Sequence, residues 1–220
     1  MLNVAIDGPA GVGKSTVAKE VAVRHKMLYL DTGALYRAVG LYALESGADT
    51  RDEAAVEALL PRIDIALRFV EGEQRVLLCG RDVSGEIRTQ SVAMAASDVS
   101  AMPAVRDFLL ELQRGIAAKN DCVMEGRDIG TVILPDADLK IFLTASAEER
   151  ARRRVAQLAE KGVEADYDTV VEEIKRRDEN DSTREISPLK PAPDACVVDS
   201  TDMTFEQVVS FISGMIGELV

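Results

Sequence analysis

The sequence predicts an α/β fold: a five-stranded parallel sheet flanked by helices, carrying a small β-containing insertion and a short helical lid. Three observations carry this. Short apolar runs at 2–6, 27–30, 121–125, 139–143 and 196–199 are each separated from the next by helical periodicity, and strand–helix alternation implies parallel strands joined by right-handed crossovers. The runs are apolar throughout rather than alternating, as befits strands covered on both faces. Between 63 and 88 the pattern changes to short strands around Gly72, which reads as a β-hairpin inserted into the alternation.

Taken in order, "LNVAI" (2–6) is the first strand, a Gly-rich turn follows, and 14–25 is helical. "MLYL" (27–30) is the second strand. Residues 33–46 form a helix with Leu35, Val39 and Tyr42 on one face, stopped at Gly47. A short helix at 52–60 ends at Pro61. The insertion supplies strands at 63–70, 74–80 and 81–87, with a tight turn at Glu71–Glu73. Helices are expected at 89–100 and 104–118, then strands at 121–125 and 139–143, then helices at 146–160 and 167–180. The stretch 180–193, with three prolines, reads as irregular, and 196–199 and 204–218 close the sheet and its helical cover.

A chain of 220 residues suits one α/β domain with small insertions. At 47% hydrophobic and 29% charged residues it has the composition of a globular protein, and no apolar run is long enough to span a bilayer. The N-terminus lacks the basic and long apolar regions of a signal peptide, so a cytoplasmic location is expected. Cys79, Cys122 and Cys196 are far apart and each adjoins an apolar run, which predicts buried thiols rather than disulfides or a zinc site. The lone histidine, His25, sits at a helix end and cannot build a zinc site by itself.

A net charge of −12 disfavours general nucleic-acid binding. Against that background Arg150, Arg152, Arg153, Arg154, Lys175, Arg176, Arg177 and Arg184 cluster in the last third. They read either as a receptor for a focused anion or as solvated helix faces.

Ligands of such sheets bind at the carboxyl ends of the strands. The first strand runs into "GPAGVGKST", where Gly8, Pro9, Ala10, Gly11, Val12, Gly13, Lys14, Ser15 and Thr16 form a phosphate-binding loop opening a helix. Lys14 is expected to bridge the β- and γ-phosphates of ATP, and Ser15 to offer its hydroxyl to Mg²⁺. Thr16 packs, caps, or touches the α-phosphate. The second strand ends at Asp31 and Thr32; Asp31 orients a Mg²⁺-bound water or caps the next helix, a cap Thr32 could itself provide. Arg37 follows a turn later, and Arg127, Asp128 and Gly130 follow the third strand. Two Arg-bearing helices joined near Gly162 have the make-up of a lid that brings positive charge onto a transferring phosphoryl group.

A GTPase would need N-K-x-D, which is absent; "DVSG" (82–85) lies in the hairpin, and "CVVD" lacks the acidic pair of a motor ATPase. Transfer to a small anionic acceptor fits better. A phosphate acceptor is already ionised near neutral pH, so no general base is required and alignment plus charge stabilisation suffice.

The segments "IDGPAGVGKST", "YLDTGALYRA", "DVSGEIRT", "EGRDIGTVILPDADLKIFLTAS", "EERARRR" and "EIKRRDENDSTREISPL" resemble, in order and over essentially the whole chain, the bacterial cytidylate kinases, a branch of the nucleoside monophosphate kinases. "GRDIGT" together with the insertion and "EIRT" is much more specific than the phosphate loop. The resemblance implies a P-loop NTPase core (about 1–32, 89–148 and 194–220), a monophosphate-binding insertion (33–88) and a lid (149–190). It implies transfer from ATP, with Mg²⁺, to CMP or dCMP by a monomer with no nucleic-acid or membrane partner. It assigns Thr32, Arg37, Arg127 and Arg184 to the acceptor phosphate, Ser97, Arg106 and Asp128 to cytosine, and Asp181 with Arg177 to the sugar hydroxyls. Lys14, Arg127, Arg154, Arg177 and Arg184 are the catalytic cations it implies. Asp128 can accept from cytosine N4, and Arg106 can donate to N3 or O2.

The chain departs from many relatives at Ser15, and at Ser182 and Thr183, where a more basic residue is common. Ser97 could instead cap the helix that follows it. Two alternatives stand beside this reading. One is a P-loop kinase for another monophosphate or for a hydroxyl acceptor, with Asp31 or Asp128 as base. The other is an ATP-dependent regulatory or nucleic-acid-associated module.

Overall fold

A computed structural model of the chain describes residues 1–70, 73–160 and 162–219. They fall into two compact units, one comprising Met1 and Leu28–Asp121, the other Leu2–Met27 and Cys122–Val220. The five-stranded sheet runs β2 (Leu28–Asp31), β6 (Cys122–Gly126), β1 (Asn3–Asp7), β7 (Leu139–Thr144), β8 (Cys196–Asp199).

In the second unit β1 lies parallel between β6 and β7, with Asp7 level with Gly126 on one side and Phe142 on the other. Val4, Ala5 and Ile6 are fully buried, which is why this strand is apolar at every position rather than at alternate ones. The helices α1 (Lys14–His25) and α8 (Phe205–Gly217) pack together, and α6 (Ala147–Glu160) packs on α7 (Tyr167–Ser182) through Ala151, Val170 and Ile174. Gly8 follows β1 so closely under β7 that a Cβ there would stand 2.0 Å from the Leu143 carbonyl oxygen, so only glycine fits.

The first unit is built on α2 (Thr32–Glu45), α3 (Glu53–Glu57), α4 (Gln90–Val99) and α5 (Pro103–Ala117), with an antiparallel sheet of β3 (Ile65–Val70), β4 (Glu73–Leu78) and β5 (Arg81–Asp82). Leu35, Val39, Val56, Val83, Ile87, Val99, Val105 and Leu109 form its core. The helices α2 and α4 meet at Gly40, where an added Cβ would lie 3.0 Å from that of Ala95.

Several sequence expectations shift. The strand expected at 27–30 runs from Leu28 to Asp31, and α2 starts at Thr32. The third strand of the insertion is only Arg81–Asp82, because the chain turns at once into a 3-10 helix at Glu86–Arg88. The helix expected over 52–60 splits into α3 and a 3-10 turn, Leu60–Arg62, that holds Pro61. Residues 180–182, expected to be irregular, extend α7 to Ser182. Of the turn at Glu71–Glu73, Glu71 and Gly72 lie outside the described residues. Cys122 is buried, donating to Asn3 Oδ1 at 3.1 Å, but Cys196 is half-buried and Cys79 is exposed with φ 49°, since its run ends in a turn rather than in the core. Among the described residues no helix is long and apolar enough to cross a membrane.

Candidate active site

Each unit contributes its own group of functional side chains. In the second, the loop 8–13 turns through left-handed glycines at Gly11 (φ 76°) and Gly13 (φ 96°) and delivers Lys14 as the first residue of α1. No side chain caps this helix, so its N–H groups and dipole are left to an incoming anion. Lys14 is buried and its Nζ donates to the Pro9 carbonyl at 2.7 Å. Two other carbonyls of the loop accept from arginines of α6. Arg150 donates to the Ala10 carbonyl at 3.0 Å, and Arg153 reaches the Val12 carbonyl at 3.4 Å. Ser15 and Thr16 are exposed; of the three roles expected for Thr16, packing and capping are not taken up.

Burial, and then the positive charge of Arg127, push the Lys14 pKa down to about 7, while Glu125, Asp7 and Asp181 pull it back up. Asp7 is buried at the end of β1, where its carboxylate accepts the N–H of Ile129 at 2.7 Å and of Gly130 at 2.8 Å. Burial raises its pKa to about 6; the two N–H bonds oppose this, the neighbouring Asp128 adds to it, and Lys14 lowers it. A Cβ at Gly130 would sit tightly against the Lys140 side chain at 3.2 Å and touch Asp7 at 3.4 Å.

Arg127 and Arg184 both bind Asp181, which is buried near the end of α7. Arg127 Nε donates to Oδ2 at 3.0 Å and Arg184 to Oδ1. Asp128 is buried directly after Arg127. Of the arginines on α6, Arg150 is a structural residue, paired through both terminal nitrogens with Asp178 at 2.9 and 2.5 Å and buried. Arg153 is tied to Glu149 at 3.0 Å and to the Ser200 carbonyl at 2.7 Å. Arg154 and Arg177 are exposed.

In the first unit Asp31 takes the capping role: its Oδ1 accepts the Ala34 N–H at 3.2 Å, and Thr32, buried, is the first helical residue rather than the cap. The Gln74 amide grips the Asp31 backbone on both sides, accepting its N–H at 2.8 Å and donating to its carbonyl at 3.2 Å. Asp31 Oδ2 lies 4.0 Å from Arg37 and 3.6 Å from Arg88. Arg106 is buried on α5, donates to the Ser100 carbonyl at 3.0 Å and lies 5.7 Å over the Tyr36 ring. Ser97 sits exposed inside α4, so it does not cap α5, whose N-cap is Met102.

Sequence reasoning passed over Asp7, Glu125 and Arg88. Asp7 stands at the end of β1, next to the phosphate loop, and Glu125 on the neighbouring β6; an acid adjoining the phosphate loop and another on the strand beside it were the available signals. For Mg²⁺ the donor set fits: Ser15 offers an exposed hydroxyl oxygen at the helix start. Among the described residues no group of three or more His, Cys, Asp or Glu could hold a metal.

The family model described as cytidylate kinase matches residues 4–218. The chain is 51% identical over 208 residues to a cytidylate kinase of Caldicellulosiruptor saccharolyticus, covering 94% of this chain and 92% of the relative. It is 51% identical over 216 residues to one of Carboxydothermus hydrogenoformans, covering 98% and 97%. It is 50% identical over 212 residues to one of Bacillus licheniformis, covering 96% and 94%. A solved shikimate kinase from Bacteroides thetaiotaomicron aligns over 98% of each chain at 12% identity and a TM-score of 0.48, too loose a likeness to add to the argument. With its phosphate loop, its buried lysine and these matches along nearly its whole length, the chain belongs to the cytidylate kinase family.

Proposed function

We propose that the chain transfers the γ-phosphoryl group of ATP to CMP or dCMP, giving ADP and CDP or dCDP, as a cytoplasmic monomer acting in pyrimidine nucleotide metabolism. The observation that carries this reading is the group after β1, after β6 and near the end of α7: buried Lys14, Asp128 and Asp181 with half-buried Arg127, cations and carboxylates with no histidine among them. Such a set orients and neutralises phosphates, and a phosphate acceptor needs no base. The acidic net charge of −12 argues against a nucleic-acid partner.

In this reading Lys14 and the uncapped start of α1 bind the donor phosphates. Mg²⁺, when bound, neutralises charge on the β- and γ-phosphates, with Ser15 as its protein ligand. Residues 33–88 serve as the acceptor-binding insertion and 149–190 as the lid, from which Arg154 and Arg177 add positive charge to the transferring group. Thr32, Arg37, Arg127 and Arg184 take the acceptor phosphate. Since Arg127 and Arg184 both hold Asp181, the acceptor phosphate would compete for these guanidiniums and release Asp181, with Arg177, to the sugar hydroxyls. Ser97, Arg106 and Asp128 choose the base. Uracil reverses the donor and acceptor at the two edge positions, so Asp128 would then face a carbonyl, a mismatch that a buried site penalises strongly.

The test is ADP formation with Mg-ATP and, separately, CMP, dCMP, UMP, AMP, GMP and shikimate. The highest rates are expected with CMP and dCMP; a preference for UMP or AMP would overturn the reading. Asp128→Asn is expected to lower kcat/KM for CMP by about a hundredfold or more while leaving the KM for ATP near its original value. An unchanged CMP affinity would count against the assignment of Asp128 to the base.

A further inference from the structure

We propose that Asp7 is a positioning residue for base selection: from the end of β1 its carboxylate holds the turn after β6 and so aims Asp128 at the acceptor's base. This rests on the reading that the acceptor is CMP or dCMP and that Asp128 reads cytosine.

The geometry lies wholly within the second unit. Asp7 is level with Gly126, the last residue of β6, so the turn carrying Arg127 and Asp128 starts beside it. That turn runs into a short π-helix, Ile129–Ile133, whose first N–H groups need acceptors. An aspartate directly before a helix ordinarily supplies one from its own side chain. Asp128 occupies that place and makes no such bond. The acceptors come instead from the neighbouring strand: Asp7 Oδ1 takes the Ile129 N–H at 2.7 Å and Oδ2 the Gly130 N–H at 2.8 Å. Asp7 takes the cap, and Asp128 is kept out of it.

The Asp128 backbone, at φ −147° and ψ 28°, belongs to neither helix nor strand. No regular element sets the direction of its side chain; the anchoring of the two residues that follow does. For the fold alone Asp7 is a costly choice. It follows three fully buried apolar residues, is itself buried, and is repelled by the nearby Asp128 carboxylate. A turn closed only for stability could be capped by Asp128 itself, without a second buried acid. Two acids, one holding the turn and one carried by it, suit a turn that must present a carboxylate in a fixed direction.

The experiment measures kcat/KM for CMP and for UMP in the wild type, Asp7→Asn, Gly130→Ala and Thr204→Ala. The ratio of the two does not depend on how much of each variant is folded. Asparagine at position 7 keeps one acceptor oxygen and sets an amide NH₂ against the other N–H, so the turn loses an anchor. The CMP-to-UMP ratio is expected to fall about tenfold, with the KM for ATP unchanged. Gly130→Ala keeps the carboxylate but crowds the same contact, its Cβ standing 3.4 Å from Asp7. It is expected to lower the ratio about threefold, and it decides if Asp7→Asn yields no folded protein. Thr204→Ala, which removes the cap of α8 elsewhere in this unit, is expected to lose stability and keep the wild-type ratio. An unchanged ratio with equal losses for both acceptors would overturn the proposal and place Asp7 with Lys14 on the donor side. A fall in Thr204→Ala as large as in Asp7→Asn would also overturn it. If the wild type prefers a monophosphate other than CMP or dCMP, the functional reading fails, and the ratio of that nucleotide to one with a mismatched base decides on Asp7.

Discussion

Lys14, Asp7 and Glu125 in the second unit are each 5% exposed or less, whereas Arg37 and Arg88 in the first keep 26% and 59% of their side chains in solvent. In the second unit burial dominates: it moves the Lys14 and Asp7 pKa values toward neutrality, and each group survives only because N–H donors or opposite charges face it. In the first, charges sit on a well-packed scaffold but remain hydrated. The difference separates two demands. In the proposed reading a donor lysine gains from being preformed and dry, and the acceptor-side arginine of the first unit, Arg37, gains from staying wet and loosely held.

Three experiments press on that contrast. The largest effect is expected from Gly8→Ala, which drives a Cβ into the Leu143 carbonyl at 2.0 Å where neither backbone can yield. A loss of about 4 kcal/mol or more, or no folded protein at all, is expected by urea titration followed by circular dichroism. A mild loss would mean that the loop is less tightly built than described.

Next comes Lys14→Met. It removes the buried cation of the donor cradle, and kcat is expected to fall about a thousandfold. A loss mainly in the KM for CMP would instead place Lys14 with the acceptor.

The smallest effect is the pH dependence of stability in the nucleotide-free protein. The native Asp7 pKa of about 6 lies above its ordinary 3.8, so between these values the native state binds more protons and stability falls as pH rises. The Lys14 pKa of about 7 lies below its ordinary 10.5, so in that upper window the unfolded state binds more protons and stability rises with pH. Urea titrations across pH should therefore show a drop on the order of 2 kcal/mol in the acid window and a recovery in the alkaline one. Lys14→Met should abolish the recovery, and a monotonic profile in the wild type would contradict the burial argument.

The sheet could be read from the sequence because its strands are covered on both faces and so carry uninterrupted apolar runs; β8 and α1 fall where those runs predict them. Boundaries drifted where a cap decided them. Asp31 ends β2 and caps α2 at once, and nothing in "LDTG" says which of Asp31 or Thr32 does so. The arginines of α6 show a second limit. Arg150 and Arg154 look alike in "ERARRR", but Arg150 meets Asp178, 28 positions away and visible only once α6 and α7 pack together, while Arg154 stays in solvent. Asp7 shows a third. It stands beside the most recognisable motif in the chain, yet its partners Ile129 and Gly130 are set by the register of β1 against β6, which composition does not encode.

That pairing constrains how the protein can change over evolutionary time. Both oxygens of Asp7 are committed to backbone amides of the turn after β6. Inserting, deleting or reshaping residues in that turn would strip a buried carboxylate of its donors, so such a change must arrive together with a replacement at position 7. Side chains outside that turn are free of this constraint, while the length of the 127–130 turn stays frozen.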